Sequence, residues 1–398
     1  MTIPFLNLSR QYEALQAEIE PKVIEVLRSG AYIGGQYVAE FEKNMAGYLG
    51  VKHVISCANG TDALVIALRA SGVAAGDEVI TTPFTFFATA EAISSIGATP
   101  VFVDICEKDF NIDPAKIEAA ITPKTKAILP VHLFGWPSDM DTINAIAKKH
   151  QLKIIEDGAQ SIGSTYQNIK VGNSDNLVTS SFYPTKNLGA FGDAGMITTN
   201  NDELAIICRS LKEHGMGKTG AEARNLLHGI QDDFQEEKPS DDPYYNPYKY
   251  YNFLIGYNSR LDAIQAAILT IKLKHLDSYN LKRNQIAEAY TQALSDVVTT
   301  PTAPTQGTTC YHQYAILTDK KEALIKYLEN IGVGTSAFYP VPMHLQKVYD
   351  SLGYTLGDLP VSEKIASQTV CLPIFPELTA TETLHIIQQV KNFFTEEV

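Results

Sequence analysis

The chain has few cysteines and little positive charge, and it lacks any long apolar run. Its five cysteines (Cys57, Cys106, Cys208, Cys310, Cys371) are odd in number and scattered, with no Cys-x-x-Cys pair. This excludes a disulfide framework or a zinc knuckle and fits a reducing cytoplasm. The most hydrophobic region, residues 79–103, is interrupted by threonine, proline, Glu91 and glycine, so no membrane span is expected. The start, "MTIPFLNLSRQYEAL", lacks the basic and apolar segments of a signal peptide. Lys and Arg total 32 against 45 Asp and Glu, a net charge of -13. Attraction to polyphosphate or anionic membrane then has the wrong sign, which argues against nucleic-acid and membrane partners but leaves room for a small phosphate in a local pocket. The nine histidines are dispersed and no H-E-x-x-H occurs, so no metal site is expected. There is no G-x-S-x-G elbow, no kinase signature set, no G-x-x-x-x-G-K-[ST] phosphate loop and no repeat of fixed period.

A hydrophobic fraction of 45% and a mean hydropathy of -0.07 describe an ordinary globular protein. At 398 residues, two domains are expected. Over the first half, apolar β-branched runs alternate with helix-length segments: "HVISC" then "GTDALVIALRAS", "DEVITT" then "TAEAISSIG", "TPVFVDI" then "DPAKIEAAI", "AILPVHL" then "DMDTINAIAKKH", and finally "LKIIEDGA". That rhythm predicts an α/β fold, a mostly parallel sheet covered by helices on both faces, with ligands at the carboxyl ends of its strands. Residues 216–250, acidic and then tyrosine-rich, break the pattern and read as a loop or an insertion without a core of its own. "SRLDAIQAAILTIKLKHLDSYNLKRNQIAEAYTQAL" has the spacing of one long helix. "YAILT", "KKEALIKYLENIG", "QTVCLPIF" and "TETLHIIQQVKNFF" predict a smaller C-terminal α/β domain. The expected division is 1–275 and 276–398, with an N-terminal segment 1–28 and the insertion at about 216–250.

Three strand ends carry candidate chemistry. In "ANGTDALVIAL", Asn59, Gly60 and Thr61 stand where a strand passes into a helix, a place for a phosphate or simply for an N-cap by Asn59 or Thr61. In "LKIIEDGAQSIG", Glu156 and Asp157 end an apolar strand; a desolvated acid there needs a cation, either an arginine of the fold or a protonated cofactor ring. In "SSFYPTKNLGAFGDAG", Lys186 precedes Gly189, Gly192 and Gly195. A lysine with a depressed pKa attacks carbonyls, and glycines let backbone approach a flat ligand. Ser181 adds a hydroxyl for phosphate, and Phe84, Phe86 and Phe87 offer rings for stacking or core packing. A phosphate cup, an acid for a ring nitrogen and an imine-forming lysine are together the protein side of a pyridoxal phosphate (PLP) site.

These blocks, with "IPFLNLSRQY", "SGAYIGGQYVAEFEKNMAGYLGVKHVISCANGTDAL", "PFTFFATAEAI", "GYNSRLDAIQAAIL" and "FYPVPMH", resemble the DegT/DnrJ/EryC1/StrS family nearly end to end. These are PLP-dependent nucleotide-sugar aminotransferases of fold type I. The resemblance implies that Lys186 holds PLP covalently and shuttles protons. It implies that Asp157 pairs with the ring nitrogen, Gln160 meets the ring oxygen and Phe86 stacks on the ring. Gly60, Thr61 and Ser181 would bind the phosphate, with Asn258 reaching it from the other subunit of a homodimer and Arg260 nearby. Tyr183, Tyr314, Tyr339 and His344 are substrate candidates. The implied reaction moves an amino group from L-glutamate, through pyridoxamine phosphate, to a UDP- or dTDP-linked keto-sugar at C3 or C4. The alternatives are another fold-type-I PLP enzyme, a lyase or amino-acid aminotransferase, or a non-catalytic regulator on the same scaffold. Lys186 argues against the dehydrating branch, which has histidine there. Gly158 replaces the usual alanine, implying looser packing. Tyr244, Tyr245, Tyr248, Tyr250 and Tyr251 could close over the sugar nucleotide or pack a dimer.

Overall fold

The computed structural model describes residues 1–230, 251–302 and 306–395. Its strands in chain order are β1 (His53–Cys57), β2 (Glu78–Thr81), β3 (Thr99–Phe102), β4 (Thr125–Leu129), β5 (Lys153–Asp157), β6 (Thr165–Tyr166), β7 (Ile169–Lys170), β8 (Leu177–Ser181) and β9 (Gly195–Thr199). Seven of them form the main sheet, in the order β1-β9-β8-β5-β4-β2-β3. The sheet is parallel except at β9, which runs antiparallel to both β1 and β8. An antiparallel partner needs no helical crossover, so the chain leaving β8 returns directly at the same end of the sheet. That return carries Lys186.

Alternate strand residues serve the two faces. Ile55 and Ile197 pack with the helix Gly60–Ala70, whereas Val54 and Met196 pack with the helices Gly35–Leu49 and Ala263–Leu273. A short strand β10 (Gly307–Thr308) joins the β6–β7 hairpin. β11 (Tyr314–Leu317) and β12 (Thr369–Leu372) then pair antiparallel, with the helices Lys321–Asn330 and Ala380–Thr395 in the same C-terminal part. This part shares a core with the main sheet: Ile55, Leu324, Ile386 and Val390 belong to one buried cluster.

Two sequence expectations are corrected. The long helix is two, Ala263–Leu273 and Leu276–Leu294. At the break the Lys274 and His275 N–H groups bond to Ile271 and Lys272 carbonyls, the three-residue spacing of a tighter turn that redirects the chain. The segment read as a loop or coreless insertion begins with the helix Gly217–His228, which buries Ala221 and Ala223. Tyr244, Tyr245, Tyr248 and Tyr250 lie outside the described residues; Tyr251 is exposed. Among the described residues no helix is long and apolar enough to cross a membrane, and no group of three or more His, Cys, Asp or Glu could hold a metal.

Candidate active site

A cavity of about 700 Å³ opens where β5 and β8 end, lined by Asp157, Ser181 and Lys186 among others. Asp157 closes β5. Its backbone N–H and C=O bond to Pro130 and His132, which locks the strand end against the chain that follows β4. Its side chain is almost fully buried, Oδ1 accepting from the Ala159 N–H at 3.1 Å and Oδ2 from the Thr89 hydroxyl at 2.8 Å. A carboxylate has about four acceptor positions, so capacity remains for a cationic donor in the cavity. Neighbouring Glu156 has a different task. It accepts from His132 at 3.0 Å, Asn176 at 2.9 Å and Ser174 at 3.1 Å. Burial alone would raise its carboxyl, yet these partners hold it below the usual carboxylate range. Glu156 thus takes its partners from the fold, a histidine and two neutral side chains in place of the arginine expected, leaving Asp157 for the cavity.

Lys186 sits on the return between β8 and β9, its N–H bonded to the Tyr183 carbonyl at 2.8 Å. Desolvation pushes its ammonium down to about 8, against the opposing pull of Asp157. The glycines around it are close-packed. A Cβ on Gly189 would lie 2.3 Å from the Pro184 carbonyl oxygen, and one on Gly195 would lie 2.3 Å from that of Asn59. Gly158 is close-packed as well: a methyl there would meet the Thr179 carbonyl oxygen at 2.9 Å. The looser packing expected at that position is therefore corrected; the glycine lets the Gly158 N–H reach that same carbonyl at 2.9 Å.

Asn59 is the N-cap of the helix Gly60–Ala70, its Oδ1 accepting from the Asp62 N–H at 2.8 Å. Thr61 is thus spared the capping role, and Gly60, Thr61 and Ser181 all line the cavity. A Cβ on Gly60 would stand 2.7 Å from that of Ser181, so only glycine lets the helix start approach the β8 end this closely. First-turn N–H groups have no intrahelical acceptor, and with a hydroxyl on either side they suit a phosphate. Gln160 is buried; its Oε1 accepts from the Phe134 N–H at 2.8 Å and its Nε2 donates to the Tyr339 hydroxyl at 2.9 Å. Phe86 and Tyr183 line the cavity with exposed rings, and Tyr339 forms another part of its wall.

The remaining sequence candidates lie elsewhere. Tyr314, proposed for substrate, is wholly buried in β11 with its hydroxyl on Thr291 at 2.8 Å. His344, proposed likewise, is buried against Glu363 at 3.0 Å. Neither lines the cavity. Asn258 and Arg260 bond to each other and do not line it either.

Thr89, Asp193 and His312 are among the cavity residues that escaped the sequence reading. Asn187 donates through Nδ2 to Asn280 and to the Cys310 carbonyl, so its Oδ1 accepts and His312 Nδ1, 3.1 Å away, must donate. Burial, helped by the charges of Lys186 and Arg283, pushes His312 well below its ordinary pKa and keeps it neutral. No motif marks it; it stands 126 residues after Lys186 in the chain.

A mixed sheet with one reversed strand, a lysine on the return and an acid at the neighbouring strand end is the plan of the PLP-dependent aminotransferases of fold type I. The solved structure of DesV from S. venezuelae, in complex with a ketimine intermediate, matches with a TM-score of 0.90 and 36% identity, over 100% of this chain and 99% of that one. The chain belongs to the DegT/DnrJ/EryC1/StrS aminotransferase family, whose model matches residues 13–391. A Geobacillus stearothermophilus chain called a pleiotropic regulatory protein is 47% identical over 99% of both chains. A UDP-2-acetamido-2-deoxy-3-oxo-D-glucuronate aminotransferase of Pseudomonas aeruginosa is 39% identical over 97% of this chain and 98% of that one.

Proposed function

We infer that the protein is a PLP-dependent aminotransferase that places an amino group on the keto carbon of a UDP- or dTDP-linked sugar. The observation that carries this is the pairing, in one cavity, of a lysine with a lowered pKa and a buried aspartate with acceptor capacity to spare. The residues fit the cofactor. Lys186 would hold its aldehyde, Asp157 its ring nitrogen, and Gly60, Thr61 and Ser181 its phosphate, with Phe86 over the ring and Gln160 near its oxygen. When bound, PLP supplies an aldehyde that links to amines and a ring that withdraws electrons from the adjoining carbon.

The chain's own residues handle the proton. Near neutral pH a group with a pKa of about 8 is available both as amine and as ammonium, so Lys186 can take the α-proton of the donor and return a proton at the keto carbon of the acceptor. His312, held neutral, stays out of competition with Lys186 for positive charge. Thr89 and the Ala159 N–H fix the Asp157 carboxylate so that its charge faces the cavity without rearrangement.

L-Glutamate is the proposed donor and C3 the proposed position. The C3 reading is supported by the 3-oxo sugar in the name of the Pseudomonas relative. A homodimer is proposed as the working form: Lys186 is the sole lysine or arginine on the cavity wall formed by the described residues, so a nucleotide diphosphate would draw its counter-charge from a second copy, with Asn258 and Arg260 as contributors. The regulatory name of the Geobacillus relative favours a second reading, a regulator on this scaffold. One experiment separates them. The protein, PLP, L-glutamate and a UDP- or dTDP-linked 3-keto sugar are incubated and analysed by mass spectrometry. An amino-sugar nucleotide that disappears with Lys186→Ala supports the enzyme; no product from either 3-keto or 4-keto sugars overturns it.

A further inference from the structure

A second buried lysine lies outside the cavity. Lys272, in the helix Ala263–Leu273, is 1% exposed, and its ammonium donates to the Gly189 carbonyl oxygen on the return that carries Lys186. It also lies 5.2 Å from the centre of the Phe191 ring. A charged amine so deeply buried is costly unless it is paired, and it has no carboxylate within ion-pair distance among the described residues, so the Gly189 carbonyl is the acceptor that compensates it. Burial pushes it down to about 8, with the Glu377 charge acting the other way.

The same helix grips the return a second time. Gln265, seven positions before Lys272 and so on the same helix face, accepts through Oε1 from the Phe191 N–H at 2.8 Å. One side chain therefore holds a carbonyl of the turn and the other an amide two residues later. Between them the turn is closed by its own bonds, Ala190 N–H to the Phe182 carbonyl at 2.7 Å and Lys186 N–H to the Tyr183 carbonyl at 2.8 Å. The Tyr12 ring packs edge-on against Phe191 at 6.1 Å, a further contact on the turn.

We propose that Lys272 is a positioning residue for Lys186: with Gln265 it clamps the 186–191 turn to a core helix and so fixes where the Lys186 amine stands in the cavity. The catalytic consequence rests on the aminotransferase reading above, whereas the clamp does not. The test uses the full-length protein, with and without PLP, and follows amide hydrogen exchange by mass spectrometry in Lys272→Met, which keeps the length and removes the donor. Peptides spanning 183–192 are expected to exchange about ten- to a hundredfold faster, the scale of losing a charge-assisted hydrogen bond, with β5 and β8 unchanged. The kcat of the holoenzyme should fall at least about tenfold with donor KM nearly unaltered, as expected of a misplaced catalytic group. Should Lys272→Met not fold, half-buried Gln265→Ala takes its place with the same expected pattern. Wild-type exchange over 183–192, or faster exchange spread evenly through the helix and sheet, would overturn the clamp. A localised exchange change without any transamination would instead leave the clamp standing and count against the enzyme reading.

Discussion

The lowered pKa of Lys186 can be measured without relying on the cofactor. At pH 7 a lysine with a pKa of about 8 is about one-tenth free amine, against about one part in 2,500 for an ordinary lysine at 10.4. Lower basicity reduces intrinsic nucleophilicity, so the net advantage toward a carbonyl should be about tenfold to a hundredfold rather than the full ratio. The cofactor-free protein would be treated with formaldehyde and cyanoborohydride across pH 6 to 10.5, and methylation of the Lys186 peptide read by mass spectrometry, with exposed Lys347 as internal reference. The Lys186 rate should rise to a plateau with a midpoint near pH 8 while Lys347 is still climbing. Asp157→Asn removes the nearby anion that favours the ammonium, so the Lys186 midpoint should move down, to about 7 on the usual scale of a single neighbouring charge. A wild-type midpoint above about 10 would refute desolvation as the cause, and an upward move in Asp157→Asn would refute the opposing pull of Asp157.

Gly60→Ala should weaken PLP binding at least about tenfold and cost about 1–3 kcal/mol of stability, because its Cβ would stand 2.7 Å from that of Ser181; PLP titration and urea unfolding check both. Thr89→Val leaves Asp157 Oδ2 without its hydroxyl donor and should cost about 1–3 kcal/mol, seen as a lowered urea midpoint in the cofactor-free protein. Glu382 is held at about 2 by Arg10, whose guanidinium grips it bidentately. A carboxyl lowered in the folded state stabilises it above the unfolded value of about 4.3 and loses that contribution as pH falls through 2. The stability gap between wild type and Arg10→Met should therefore be full at pH 6 and shrink between about pH 4.5 and 2.

The main site residues were legible because each follows an apolar strand directly. Asp157 ends β5, Ser181 ends β8 and Gly60 opens the helix after β1, so in a parallel sheet all three had to converge at one edge. Lys186 stood out through the glycines behind it. Thr89 and His312 were illegible because their roles depend on partners 68 and 125 residues away, Asp157 and Asn187. Tyr314 and His344 lie away from the cavity for the converse reason: proximity in the sequence to family-like blocks gives no hint that Thr291 and Glu363 bond to them. The division of Glu156 from Asp157 follows from alternation along a strand, which puts adjacent side chains on opposite faces, yet which face held the cavity was not marked locally.

The most direct test of the central claim is the visible absorption of the purified protein reconstituted with PLP, recorded before and after L-glutamate alone. A yellow band, absent in Lys186→Ala, that fades on adding glutamate and returns on adding a UDP- or dTDP-linked keto-sugar is the predicted result. No band in the wild-type protein, or one that persists with every amino acid supplied, would contradict it.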